Sequence, residues 1–128
     1  MAIVVTSAVR TAIGKFGGAL VGVPAAQLAG VCITEALKRS QVGTNEVDEV
    51  LIGNVLQAGQ GQNPARQALI KADIPNTVPP TTINKVCGSG LKAITMGAQA
   101  IKCDEANIVV AGGTENMSRA PYLLNEAR

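Results

Sequence analysis

The 128-residue sequence contains no histidine and no tryptophan. Without histidine, no Ser-His-Asp or Cys-His pair can form within the chain, and no imidazole can ligate a metal. A reaction that needs a histidine base must draw it from elsewhere. Aromatic residues are scarce too: Phe16 and Tyr122 are the whole set, which leaves no platform for stacked bases. Charged residues make up 16%, and 11 Lys and Arg against 9 Asp and Glu give a formal net charge of +2. No basic block stands out, so nucleic acid is a poor partner. The three cysteines, Cys32, Cys87 and Cys103, are widely spaced and form no C-x-x-C pair. That spacing argues against a disulfide framework and a zinc site, and a reducing compartment is expected. No apolar run approaches the roughly 20 residues of a membrane span. The segment Met1–Val5 lacks a basic n-region and a cleavage site, which argues against a signal peptide. The expectation is a cytoplasmic protein with no membrane attachment and no bound metal.

What is present is apolar. Hydrophobic residues make up 47%, enough for a core and too many for a disordered chain. The length suits one domain. Ala2–Val9 is a short β-branched run and reads as a buried strand. Gly14, Gly17, Gly18 and Gly22 punctuate a loop, and Pro24 opens a helix expected to reach Ser40. Thr44 is expected to cap a short turn. Glu49–Val55 reads as a second strand. Asn63 followed by Pro64 is a cap and first-position signal for a helix running to about Ala72. Thr81–Val86 is β-branched but polar and suits a sheet edge. A helix follows from Cys87 to Lys102, then an apolar strand over Asn107–Gly113, then polar loop from Thr114. Four strands alternating with three helices predict an α/β fold with βαβ units and a mostly parallel sheet.

The helix after Cys87 has an unusual surface. Its long polar groups, Lys92, Thr95, Gln99 and Lys102, fall in one narrow stripe, and the rest is small or apolar. A surface helix keeps about half its circumference polar. This helix is expected to be buried on most sides, which needs another layer from elsewhere in the chain or from a partner.

Cys87 falls where the edge strand ends and this helix begins. Ligands of open α/β sheets bind at that carboxyl edge. A thiol there meets the helix N-terminal partial charge and unpaired N–H groups, which favour thiolate. Three readings of the segment are open on these grounds. Cys87 is a buried structural cysteine at a tight turn. Or Gly88-Ser89-Gly90-Leu91-Lys92-Ala93 is a dinucleotide-binding G-x-G-x-x-A, with Glu115 roughly 20 residues on as the ribose acid. Or Cys87 is a nucleophile for acyl transfer, with oxyanion-binding backbone beside it.

Four ordered blocks resemble the thiolase family. They are Arg10–Gly18, Gly61–Gln67, Ile83–Ile94 around Cys87, and Ala111–Ser118. Ala12 departs from the family's common proline, in a loop. The pattern is most similar to the acetoacetyl-CoA type, acetyl-CoA C-acetyltransferase. The resemblance implies acyl transfer between acetyl-CoA and acetoacetyl-CoA, or another 3-ketoacyl-CoA, and CoA. Cys87 would be the acyl-thioester nucleophile, with its backbone N–H turned to the oxyanion. CoA and acyl-CoA would be substrates, with no permanently bound cofactor. The family's histidine base, second catalytic cysteine and Asn/His-held water lie in its C-terminal half, and Cys32 and Cys103 match none of them; both are expected to be structural and buried. The fold implied is the N-terminal half of a five-layer αβαβα sandwich, with the Cys87 helix in the central layer. Residues 1–116 would form the N-terminal α/β domain without its fifth strand. Residues 117–128 would begin the CoA-binding loop domain. The partners implied are the C-terminal remainder of a thiolase and further copies in a homodimer or homotetramer, Thr81–Val86 pairing across a two-fold. A catalytically inactive truncated α/β protein is the alternative from another class, and residues 1–128 alone are expected to be inactive.

Overall fold

The computed structural model describes residues 2–127, so Met1 and Arg128, the outer limits of the two expected segments, lie outside the described residues. Three parallel strands form one sheet: β1 (Glu49–Gly53), β2 (Pro80–Ile83) and β3 (Val109–Gly113), in the order β2-β1-β3. Three helices complete it: α1 (Ala25–Ser40), α2 (Pro64–Lys71) and α3 (Ser89–Lys102). The α/β architecture with a parallel sheet is the one expected.

Both faces of the central strand are covered, as a parallel sheet requires. Val50 and Ile52 point into a core with Ala29, Ile33 and Leu37 of α1 and Ala65, Ala68 and Leu69 of α2. Leu51 points the other way, towards Met96 and Ala100 of α3. The chain therefore passes from β1 through α2 to β2 on one face. It then crosses β1 on the opposite face through α3 to reach β3. This reversal makes a switch point between β1 and β3, and their carboxyl ends, Gly53 and Gly113, meet there.

Local chemistry sets the helix limits. Asn63, left-handed at φ 44°, accepts the Arg66 N–H at 3.2 Å, and Pro64 follows it. Gln41 closes α1 in the left-handed region, with Lys38 and Arg39 in the last turn. The short turn Thr44–Glu46 forms, but its cap is Gly43, whose N–H donates to Glu46 Oε2 at 2.6 Å. The acid reaches one residue further back than the expected Thr44 cap.

The strand expected at Ala2–Val9 does not form. Among the described residues no strand pairs with the segment and Ser7 Oγ is buried without a partner, while Val4 and Val5 are 72% and 76% exposed. A β-branched run supplies propensity, but a ladder needs a second strand about 4.8 Å away. A cavity of about 480 Å³ lies between residues 8–12 and Val31, Cys32, Glu35 and Arg39 of α1. The Thr81–Val86 strand stops at Ile83 because Asn84–Gly88 turn to start α3. The polarity that placed this segment at an edge belongs partly to that turn. Within Thr114–Arg128 a short 3-10 turn spans Met117–Arg119. None of the described helices is long and apolar enough to cross a membrane.

Candidate active site

Cys87 is exposed and precedes α3 by two residues, beyond the end of β2 rather than inside the helix as expected. The turn that carries it is unusual. Val86 has φ +49°, a left-handed conformation that costs a β-branched residue about 1–3 kcal/mol. Its N–H donates to Asn84 Oδ1 at 2.9 Å. Its carbonyl accepts from Ser89 Oγ at 2.6 Å and from Ser89 N–H at 3.1 Å. Ser89 Oγ also accepts the Lys85 N–H at 2.7 Å, and Gly88 N–H closes the turn on Lys85 O at 3.0 Å. The Cys87 N–H makes no hydrogen bond among the described residues. An exposed thiol thus stands beside an uncommitted N–H and the start of a 14-residue helix.

The sheet supports this turn by backbone contact. A Cβ on Gly53 would come 2.5 Å from the Ser89 carbonyl carbon and 2.7 Å from Gly90 N. Gly113 also lies close to the helix start, less tightly: a Cβ on Gly113 would lie 3.2 Å from Gly90 Cα. The start of α3 is seated directly on the carboxyl ends of β1 and β3 because Gly53 and Gly113 lack side chains.

The loops around that edge are tied together by residues of the sequence blocks. Asn54, 1% exposed, donates to Thr114 O at 2.8 Å and to Glu115 Oε1 at 3.1 Å. Glu115 also accepts the Val55 and Leu56 N–H groups, both at 3.0 Å. Its carboxylate is committed to the loop after β1, which disfavours it as a ribose acid. Asn116 Nδ2 donates to Leu20 O and Val23 O, and Gly17 N–H to Ser118 Oγ. Thr82 Oγ1 donates to Asn63 Oδ1 at 2.6 Å and accepts the Ala65 N–H. The block around Gly61–Gln67 is joined to β2, and the block Ala111–Ser118 to the loop that follows Arg10.

The other cysteines are not brought to Cys87. Cys32 is half-buried in α1 beside the cavity under residues 8–12. Cys103 caps the far end of α3 and is exposed. The burial expected of Cys103 fails: it follows the last turn of α3 as its C-cap and is exposed at the rim of a cavity shared with Glu49 and Glu105. Among the described residues no three His, Cys, Asp or Glu converge on a possible metal position. The residues that sequence reasoning missed are Gly53, Asn54, Asn84 and Ser89. Ser89 is legible in the sequence only as a letter of the block, and Gly53 and Asn54 only as members of the expected strand Glu49–Val55, which ends at Gly53 instead.

Residues 3–128 match the thiolase N-terminal domain family. The chain belongs to the thiolase family. It is 58% identical over 126 residues to an acetyl-CoA acetyltransferase of Cupriavidus necator, covering 98% of this chain and 32% of that protein. It is 55% identical over 126 residues to an acetyl-CoA acetyltransferase of Pseudomonas aeruginosa, with the same coverage of each. Among solved structures, a thiolase from Ascaris suum in complex with coenzyme A superposes with a TM-score of 0.94 at 47% identity. That alignment covers 96% of this chain and 32% of the Ascaris chain. The chain spans about a third of the length of these relatives.

Proposed function

We propose that these residues form the N-terminal part of a cytoplasmic thiolase that exchanges acyl groups between 3-ketoacyl-CoA and CoA through a thioester on Cys87. The observation that carries the reading is the exposed Cys87 on a strained turn, two residues before α3, with its N–H uncommitted. Acetoacetyl-CoA is the favoured substrate, because the relatives named are acetyl-CoA acetyltransferases. CoA as the acyl carrier agrees with the ligand named for the Ascaris thiolase.

In the cleavage direction the Cys87 thiolate adds to the ketone carbon of acetoacetyl-CoA. Charge gathers on the ketone oxygen, and the Cys87 N–H can donate to it. The bond between the ketone carbon and the α-carbon then breaks. The α-carbon takes its electron pair and a proton and leaves as acetyl-CoA, and Cys87 keeps the acetyl thioester. The thiolate of a second CoA attacks that thioester, a second acetyl-CoA leaves, and the Cys87 thiol is restored. The base that takes the thiol proton and the acid that returns one to the α-carbon belong to the remainder of the enzyme, since this chain holds no histidine.

Residues 1–116 are assigned to the N-terminal α/β domain and 117–128 to the start of a CoA-binding segment. Tyr122, Leu123 and Leu124 are exposed there, ready for a covering element. Among the described residues the outer edge of β2 has no strand beside it, and a second subunit pairing across a two-fold would close it in a homodimer or homotetramer. In the complete enzyme, incubation with acetyl-CoA, rapid acid quench and peptide mass spectrometry are expected to place the acetyl group on Cys87. An acetyl group on Cys32 or Cys103 instead would overturn the assignment.

A further inference from the structure

The peptide unit between Val86 and Cys87 is held on one side only. Its carbonyl accepts the Ser89 hydroxyl at 2.6 Å. The peptide is trans, like all those described, so its N–H, which belongs to Cys87, points the opposite way. Whatever fixes the Val86 carbonyl therefore fixes the direction of the Cys87 N–H. The same hydroxyl grips the Lys85 N–H at 2.7 Å, and Asn84 Oδ1 holds the Val86 N–H at 2.9 Å. These two side chains bracket the residue whose φ of +49° its own β-branching disfavours. Ser89 is 4% exposed, and Gly53 lets its backbone rest against the end of β1. The bracket is thereby referred to the sheet and does not drift with the turn.

We infer that Ser89, with Asn84, is a positioning residue that aims the thiol and the N–H of Cys87 by holding Val86 left-handed. This rests on the reading of Cys87 as the acylated nucleophile. Neither side chain need touch substrate. Their effect passes through one peptide plane and one φ angle.

The test uses the complete enzyme, with the rate of Cys87 acetylation by acetyl-CoA as the readout. Ser89→Ala is expected to slow acetylation by about 10²-fold, the scale of a misplacement near 1 Å, with KM for acetyl-CoA little changed. The Ser89 N–H bond to Val86 O survives the substitution, so the turn loosens and the protein still melts cooperatively. Ser89→Thr, which keeps the hydroxyl, is expected to restore most of the rate. Val86→Gly added to Ser89→Ala is expected to recover part of it, because glycine adopts φ +49° without a Cβ penalty. Acetylation at the wild-type rate in Ser89→Ala would overturn the inference. So would a loss that neither Ser89→Thr nor Val86→Gly reverses, since a merely structural role predicts that pattern. If Ser89→Ala does not fold, Asn84→Ala at its exposed position takes its place: slowed acetylation that Val86→Gly reverses supports the inference, and the wild-type rate overturns it. An acetyl group absent from Cys87 in the unaltered enzyme is a separate result, and sinks the reading of the nucleophile instead.

Discussion

Gly53, Gly90 and Gly113 meet where the carboxyl edge of the sheet supports the Cys87 turn, and they are not equivalent. A side chain on Gly53 would meet backbone at 2.5 Å and 2.7 Å, which cannot swing aside. A side chain on Gly90 would find its nearest neighbour, Gly113 N, at 3.6 Å, an ordinary contact. Gly53→Ala is therefore expected to cost about 1–3 kcal/mol, the usual range for overpacking. Gly90→Ala is expected to leave stability unchanged or raise it slightly, since alanine favours a helix. Urea unfolding midpoints of the two variants of the complete enzyme check this, and equal midpoints would refute the contrast. The dinucleotide reading asks that Gly90 admit a pyrophosphate, whereas here Gly90 faces Gly113 of β3.

At the scale of elements, polar side chains stitch together loops that lie far apart in sequence. Asn63 caps α2 and at the same time holds Thr82 and Pro80 of β2, so one residue sets both the start of a helix and its distance from a strand. Asp48 does similar work at the opposite edge. Its carboxylate accepts the Asn107 N–H at 2.7 Å and the Ile108 N–H at 3.0 Å, which joins the approach to β1 to the approach to β3. The Ile108 and then the Asn107 hydrogen bond hold its carboxyl below the ordinary value of 3.8. The contribution of a depressed acid is present above the unfolded value and lost as pH falls through the folded one. In the complete enzyme Asp48→Asn is accordingly expected to lower the melting temperature at neutral pH. The gap to the unaltered protein should close below 3.8. Melting curves measured across the acid range decide it, and a gap that stays constant with pH would remove Asp48 from the account. Asp48 is exposed, so the effect is small.

At the scale of the molecule, α3 is covered on one side only. Ser89, Ala93 and Gly97 are buried against the sheet, while Leu91 and Ile94 are 69% and 47% exposed and Val86 lies open beside them. The expected burial on most sides is absent among the described residues, where α1 and α2 pack on the opposite face of the sheet. Burying a large aliphatic side chain contributes about 1.5–3 kcal/mol. Losing two or three such contributions rivals the roughly 5–15 kcal/mol net stability of a small domain. Residues 1–128 alone are therefore expected to aggregate, or to bind a hydrophobic dye without a cooperative melt, and to be inactive. Supplying the rest of the enzyme as a second chain is expected to restore folding first and thiolysis second. A 128-residue monomer that melts cooperatively and cleaves acetoacetyl-CoA would refute both the uncovered layer and the absent base.

Local sequence determined the three helices to within two residues, since Asn63-Pro64, the Lys38-Arg39 last turn and the 3.6-residue periods all act within one helix. It also placed Cys87 between an edge strand and a helix, and the blocks around it carried the family resemblance. Tertiary structure alone decided whether Ala2–Val9 pairs, because a strand is stabilised by a neighbour and its propensity is the same with or without one. It alone showed that Glu115 is spent on Val55 and Leu56, 60 and 59 residues away, and that Gly53 must stay bare for α3 to seat. Such requirements join residues whose separation along the chain has no period to betray it. The orientation of the Cys87 N–H belongs to this second kind: it depends on a peptide plane that Ser89 holds from inside the next helix.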